Sequence, residues 1–123
     1  MSLRSYRQLI AWQLAAELGI EVYRVGSLLP ESERYGLRSQ SQRAAISIAS
    51  CIAEGYGRRT RREYVHFLYT ARGSLREVDT HLYFIDRLGF VRAAELETAL
   101  SFCDRTGAVL DRLIRSLEPS PWR

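Results

Sequence analysis

Residues 37–63 read LRSQSQRAAISIASCIAEGYGRRTRRE, and they determine how the rest of the chain is arranged. Small or apolar residues recur here at intervals of three and four, which predicts a helix from Leu37 to about Glu54 that is packed along one face. Alanines and serines keep this helix thin, so neighbouring helices can approach closely. Gly55 and Gly57 are expected to end it in the left-handed conformation. An arginine-rich turn follows.

A third helix is predicted immediately after that turn. Thr60 and Glu63 form a T-x-x-E pattern, which is typical of a helix N-terminus. From Tyr64 to Ile85, apolar residues repeat at alternating spacings of four and three. The pattern predicts a helix from Thr60 to Leu88, with Gly89 ending it.

The first predicted helix, over 7–29, carries two apolar stripes. One contains Leu9, Trp12, Ala16, Gly19, Tyr23 and Gly26, and the second contains Leu14, Leu18, Val22, Val25 and Leu29. A solitary four-helix bundle buries one stripe per helix, so the second stripe indicates a subunit interface. The fourth predicted helix, over 93–117, also has two apolar faces.

Four amphipathic helices joined by short loops predict an all-α fold, an antiparallel up-down-up-down four-helix bundle over 7–117. Residues 1–6 are expected to form an N-terminal tail. Residues 118–123 contain two prolines, so a flexible C-terminal tail is expected there. No segment shows the period-two pattern of a strand.

The composition is that of an ordinary soluble domain, with 46% hydrophobic and 26% charged residues. No apolar run approaches the ~20 residues that a membrane span needs. Cys51 and Cys103 are expected to be free thiols in a reducing compartment, which favours the cytoplasm.

The positive charge is unevenly distributed along the chain. All 18 basic residues are arginine, and the segment from Arg34 to Arg76 holds nine of them against two acids. Such asymmetry favours an anionic partner, nucleic acid first. Its densest part is Arg58, Arg59, Arg61 and Arg62, at the start of the third helix.

We therefore expect these four arginines to bind phosphate, assisted by the free N–H groups of the helix N-terminus. The alternative is a solvated basic turn without function. Tyr56, Tyr64 and Tyr69 lie close by in sequence and could stack on bases, although a tyrosine in a helical stripe is more often part of the core. Arg34 and Arg38 would extend the patch only if the chain folded back on it.

Other charged residues suggest a structural role. Arg43, Glu54 and Glu77 stand among apolar residues and are predicted to form a buried charge network between helices two and three. Glu63-x-x-His66 resembles half of a di-iron motif, but the second copy is missing, so no metal site is predicted. No nucleophile–histidine pair and no phosphate loop is present, so we expect neither catalysis, nor a cofactor, nor a small-molecule substrate.

Several motifs together resemble a known family. They are Tyr6–Gln13, Tyr35-Gly36-Leu37, Gln40, Arg43–Ile48, Ile52–Arg58, Phe67-Leu68, Ala71–Glu77 and Arg87–Phe90. These motifs, spread from about Ser5 to Leu117, are similar to those of the four-helix-bundle proteins of the 23S ribosomal-RNA intervening-sequence type.

The resemblance implies a small bundle that assembles into a ring-like homo-oligomer, a pentamer, with no enzymatic activity. Some members are encoded within inserts in ribosomal-RNA genes, and a related branch engages nucleic acid and a reverse transcriptase. Ala49 and Cys51 replace the family's usual proline and asparagine. Arg92 replaces its usual serine or aspartate, which predicts a weak cap on the fourth helix.

Two functions remain open from the sequence. The first is a homo-oligomeric scaffold that binds RNA through its arginine-rich junction. The second is a protein-interaction or assembly module with no nucleic-acid role. The charge asymmetry favours the first, and the lack of a recognised nucleic-acid motif favours the second.

Overall fold

The structure, a computed structural model, describes residues 2–118. It contains four α-helices, which are α1 (Ile10–Gly26), α2 (Leu37–Tyr56), α3 (Arg61–Arg87) and α4 (Glu97–Leu117). Short 3-10 turns occupy Ser5–Gln8, Glu31–Glu33 and Ala93–Leu96. No strand occurs within the described range, so the predicted all-α class with four helices is confirmed. Beyond Glu118, the predicted C-terminal tail lies outside the described residues.

Two helices begin later than the periodicity predicts. Leu9 is extended (φ −71°, ψ 127°), so the turn Ser5–Gln8 is separated from α1. The fourth helix starts as the turn Ala93–Leu96, and neither Arg92 nor Leu96 supplies a capping side chain. By contrast, Thr60 Oγ1 accepts a hydrogen bond from the backbone N–H of Glu63 at 3.1 Å, which confirms the predicted start of α3.

Neither glycine at the end of α2 has a left-handed backbone, and at Gly55 the small size of the residue is what matters. Gly57 has φ −82°, and Gly89 is the one described glycine with positive φ, at +73°. The expectation for Gly55 and Gly57 was therefore wrong. Gly55 is buried within α2, and a Cβ there would lie 2.7 Å from Phe67 Cβ. Its missing side chain lets α2 and α3 approach closely.

The core contains the second stripe of α1, not the first. Its five members, Leu14, Leu18, Val22, Val25 and Leu29, are all buried. They pack with Ile48 and Ile52 of α2, Leu68 and Leu82 of α3, and Leu110 of α4. The assignment of the second stripe to a subunit interface was wrong. Its large branched side chains fill the bundle interior, whereas Leu9, Trp12, Ala16 and Tyr23 remain partly or largely exposed.

Contacts between helix ends define two opposite ends of the molecule. At one end, Gly55 of α2 approaches Tyr64 and Phe67 of α3, and Tyr69 of α3 donates a hydrogen bond to Glu118 after α4. At the other end, Gly26 of α1 approaches Arg38 and Gln42 of α2, and Arg24 pairs with Glu95 before α4. None of the described helices has a stretch long and apolar enough to span a bilayer.

Candidate nucleic-acid interface

The four arginines predicted to bind phosphate surround the N-terminus of α3. All four side chains are exposed. Arg58 pairs with Glu54 at 3.0 Å, and its guanidinium lies 4.7 Å from the centre of the Phe67 ring. Within residues 2–118, Arg59, Arg61 and Arg62 form no ion pair. Three guanidiniums are therefore free to meet an anion.

The fold brings further arginines to this end. The turn Ser5–Gln8 carries Arg7 and follows Arg4, and it packs against the C-terminal part of α2. One cleft is lined both by Ser2 and Tyr6 and by Tyr56 and Arg58. The last turns of α4 carry Arg112 and Arg115, and Glu118 reaches Tyr69 of α3. The candidate interface is therefore larger than the turn alone.

We call residues 2–13, 50–70 and 109–118 the basic end, and residues 20–44 and 79–101 the far end. The basic end holds eight arginines and four carboxylates. The far end holds six arginines and seven carboxylates. The basic end thus carries a net charge of +4 (8 − 4), whereas the far end carries −1 (6 − 7).

Arg34 and Arg38 do not extend the basic end. Arg38 lies against Gly26, and Arg34 pairs with Glu31 at 3.3 Å, both at the far end. The continuous basic segment from Arg34 to Arg76 is therefore divided by the fold. The sequence carried a signal for this grouping, because the predicted antiparallel bundle would bring the first turn of α1 and the last turn of α4 to the same end.

The three tyrosines near the patch have different surroundings. The Tyr64 hydroxyl is buried without a hydrogen-bond partner in the described structure, and burial raises its pKa to about 12. Tyr69 donates to Glu118 at 2.8 Å, and this hydrogen bond raises the pKa of Tyr69. Tyr56 is half-buried, with its ring edge-to-face against Tyr64 at 6.0 Å. Only Tyr56 combines a braced ring with a place on an open cleft.

The predicted charge network is not buried. Arg43, Glu54 and Glu77 are all exposed, and Glu54 pairs with Arg58 four residues later in sequence. Helical spacing explains this pairing, since a glutamate four residues before an arginine lies on the same face. Arg43 and Glu77 line a shallow pocket with His81, without an ion pair between them. Instead, the Ser47 and Ser74 hydroxyls, 3.0 Å apart, link α2 and α3.

Other candidate reactive groups are separated from one another. Cys51 and Cys103 are both free, and burial raises the pKa of the Cys103 thiol to about 12. Such a thiol packs as a small hydrophobic group. Burial also lowers the pKa of His81, whose Nδ1 has no partner within residues 2–118. No three His, Cys, Asp or Glu side chains in this range lie close enough to hold a metal ion.

The same chain matches a family model over residues 7–112, described as 23S rRNA-intervening sequence protein. The chain belongs to this family. The matched range takes in six arginines of the basic end, and it leaves out Arg4 and Arg115. The identification from sequence motifs is therefore confirmed.

A solved structure supports the fold of this family member. A protein of unknown function from the S23 ribosomal protein family of Bacteroides thetaiotaomicron superposes with a TM-score of 0.79. The two chains are 17% identical, and the match covers 85% of this chain and 98% of the other. At this identity the likeness concerns the fold. No curated protein matches the chain.

Proposed function

We propose that this protein is a non-enzymatic, homo-oligomeric scaffold that binds RNA through its basic end, including Arg58, Arg59, Arg61 and Arg62. One observation carries the proposal, namely the segregation of eight arginines and only four carboxylates at one end of the molecule. A guanidinium without an internal partner is available for bidentate contact with phosphate. The free thiols fit a cytoplasmic protein.

Self-association is supported by an open apolar groove between α1 and α2. The groove has a volume of about 480 Å³ and is lined by the outward stripe of α1, including Trp12, Ala16 and Tyr23, and by Ile46 and Ala49 of α2. Ile46 is 50% exposed. Continuous apolar surface of this kind on a soluble protein marks an interaction site. We propose that a second copy of the chain covers it.

A different face of the molecule offers the complementary surface. Tyr83 and Phe84 of α3, Leu88 after it and Leu100 of α4 are all exposed. Contact between two unlike faces is heterologous, and it closes into a ring when the rotation between copies permits. We propose an up-down-up-down bundle that assembles in this way, with the five copies that the family resemblance implies. Each copy would add one basic end, so weak contacts with a polyanion would be multiplied.

The alternative function is a protein-interaction module with no nucleic-acid role. It is favoured by the same groove, because an amphipathic helix of another protein could occupy it. The two functions differ in their dependence on salt. Neutralisation of about four phosphates per site lowers the logarithm of the RNA affinity by roughly 3 for each tenfold rise in salt.

Fluorescence anisotropy with structured RNA at several salt concentrations tests the RNA-binding proposal. The RNA-binding proposal is supported if the logarithm of the affinity falls by roughly 3 for each tenfold rise in salt. It is refuted if no binding occurs at 50 mM salt. Sedimentation velocity tests the assembly with Ile46→Glu, which should shift the oligomer to monomer because a charge cannot be buried in an apolar contact. Tyr35→Glu is the control, since Tyr35 is 84% exposed and lies outside the groove. A wild-type monomer at micromolar concentration would contradict the assembly.

A further inference from the structure

A second cavity opens within the basic end, between the turn Ser5–Gln8 and the C-terminal part of α2. Its volume is about 710 Å³, which falls in the range of small-ligand sites. Its walls combine two aromatic rings (Tyr6, Tyr56), two apolar side chains (Leu3, Ala53) and an ion pair (Glu54, Arg58). This combination is suited to a flat, partly polar group. We call this cavity the cleft.

Both aromatic rings are held in place by contacts behind them. The Tyr6 ring is edge-to-face against Trp12 at 5.2 Å, and the Arg7 guanidinium lies 5.7 Å from its centre. The Tyr56 ring is braced in the same manner by Tyr64. Rings held in this way lose little conformational entropy when a ligand stacks on them. Stacking on tyrosine is a common way for proteins to hold an unpaired base.

Glu54 adds a hydrogen-bond acceptor to the cleft. Its Oε1 accepts from Arg58 at 3.0 Å, and its Oε2 accepts no hydrogen bond within residues 2–118. A carboxylate oxygen accepts well from the exocyclic amino group of a base, such as N4 of cytosine. Adenine and guanine also carry an amino group, whereas uracil has none. Arg58 compensates the negative charge, so the cleft remains compatible with a polyanion.

Further arginines lie next to the cleft residues in sequence. Arg4 adjoins it in the N-terminal segment, and Arg59 follows Arg58 at the start of the turn. We propose that the cleft binds one unpaired, amino-bearing base of single-stranded RNA, while the arginines of the basic end hold the neighbouring phosphates. A base within a duplex is paired and stacked, so it cannot enter. This inference rests on the proposed RNA binding and specifies the class of RNA.

Anisotropy titrations with three labelled RNAs at one salt concentration test the inference. The probes are a 12-mer of cytidine, a 12-mer of uridine and a 12-base-pair duplex. The wild type should bind the cytidine strand several-fold more tightly than the uridine strand. Tyr6→Ala should weaken binding of the cytidine strand on the order of 10-fold more than binding of the duplex, because the variant removes a stacking surface and no charge. Tyr6 also lines the groove between α1 and α2, and a loss of assembly would lower both affinities alike.

Two further variants sharpen the test. Glu54→Gln should bring the ratio of cytidine to uridine affinities close to one, because the amide offers a donor to O4 of uracil as well as an acceptor to the amino group of cytosine. Tyr35→Ala is the matched control, because Tyr35 also has an arginine over its ring, Arg34 at 5.5 Å, but lies at the far end. It should change no affinity. If Tyr6→Ala fails to fold by circular dichroism, the exposed Glu54→Gln still decides the matter.

The outcomes separate this inference from the proposed function. If the wild type binds none of the three RNAs, RNA binding itself is refuted. If it binds all three alike, and Tyr6→Ala and Glu54→Gln leave that pattern unchanged, the base-binding cleft is refuted while binding of phosphates by the basic end stands.

Discussion

The two ends of the bundle differ in how their charges are used. At the far end, Arg24 pairs with Glu21 and Glu95, Arg34 pairs with Glu31, and Arg92 pairs with Glu95. At the basic end, Arg58 is the one arginine of eight that forms an ion pair within residues 2–118. Three of the six arginines at the far end are therefore paired with a carboxylate, against one of eight at the basic end. The net charge of +4 is therefore not spread evenly over the molecule, because the excess of arginines over carboxylates lies at the basic end.

The largest expected effect comes from breaking this contrast directly. The triple variant Arg59→Ala, Arg61→Ala, Arg62→Ala should weaken RNA binding on the order of 100-fold at 0.1 M salt and reduce the salt slope by about 2. The control removes the same charge from the far end, with Arg34→Ala, Arg87→Ala and Arg92→Ala. Its affinity for RNA should stay within a factor of about three, as distant charges are screened at this salt. Equal losses in the two triple variants would show that only net charge matters.

A second contrast concerns glycine packing at the two ends. Gly55→Ala should lower the free energy of unfolding by about 1–3 kcal/mol, because the new Cβ would lie 2.7 Å from Phe67 Cβ, which cannot rotate away. Gly26→Ala would meet the amide end of Gln42 at 2.7 Å, and that flexible side chain can move. Its stability should be unchanged or raised by up to about 1 kcal/mol through helix propensity. Urea titrations of both variants measure the difference, and equal destabilisation would contradict the assigned role of Gly55.

The smallest effect concerns the ion pairs of the far end. Hydrogen bonds from Arg24 and Arg92 hold the pKa of Glu95 below its ordinary value of 4.5. A lowered pKa in the folded state stabilises the protein above pH 4.5, and this contribution is lost as the pH falls through the folded value. Glu95→Gln should therefore lower Tm slightly at pH 7, and the difference from the wild type should shrink below pH 4.5. Glu17→Gln, an exposed glutamate without an ion pair in the described chain, is the control. A Tm difference independent of pH would argue against the pairing.

The helices were predictable from sequence because their apolar spacing is regular. The weak cap at Arg92 and the strong cap at Thr60 were also readable, since both depend on neighbouring residues only. The sequence did not predict which stripe of α1 faces inward, because both stripes are apolar. The orientation of α1 depends on which side chains are large enough to fill the space against Ile48 and Leu110.

The extent of the basic end could not be predicted from charges counted along the sequence. The charge count placed Arg34 and Arg38 in one segment with Arg58, and they were expected in the patch only if the chain folded back, which it does not. The same count missed Arg4 and Arg115, which reach the basic end from the two extremes of the described chain. Glu54 was assigned to a network with Arg43 and Glu77, and its pairing with Arg58 was missed, although helical spacing alone could have indicated that pairing.

Tyr6 lines both the cleft and the groove between α1 and α2. One ring therefore forms part of the wall of two sites with different occupants. If docking of a neighbouring subunit alters the affinity for a base, the base must alter the affinity between subunits by the same factor. Assembly and ligand recognition would then be thermodynamically coupled through a single side chain.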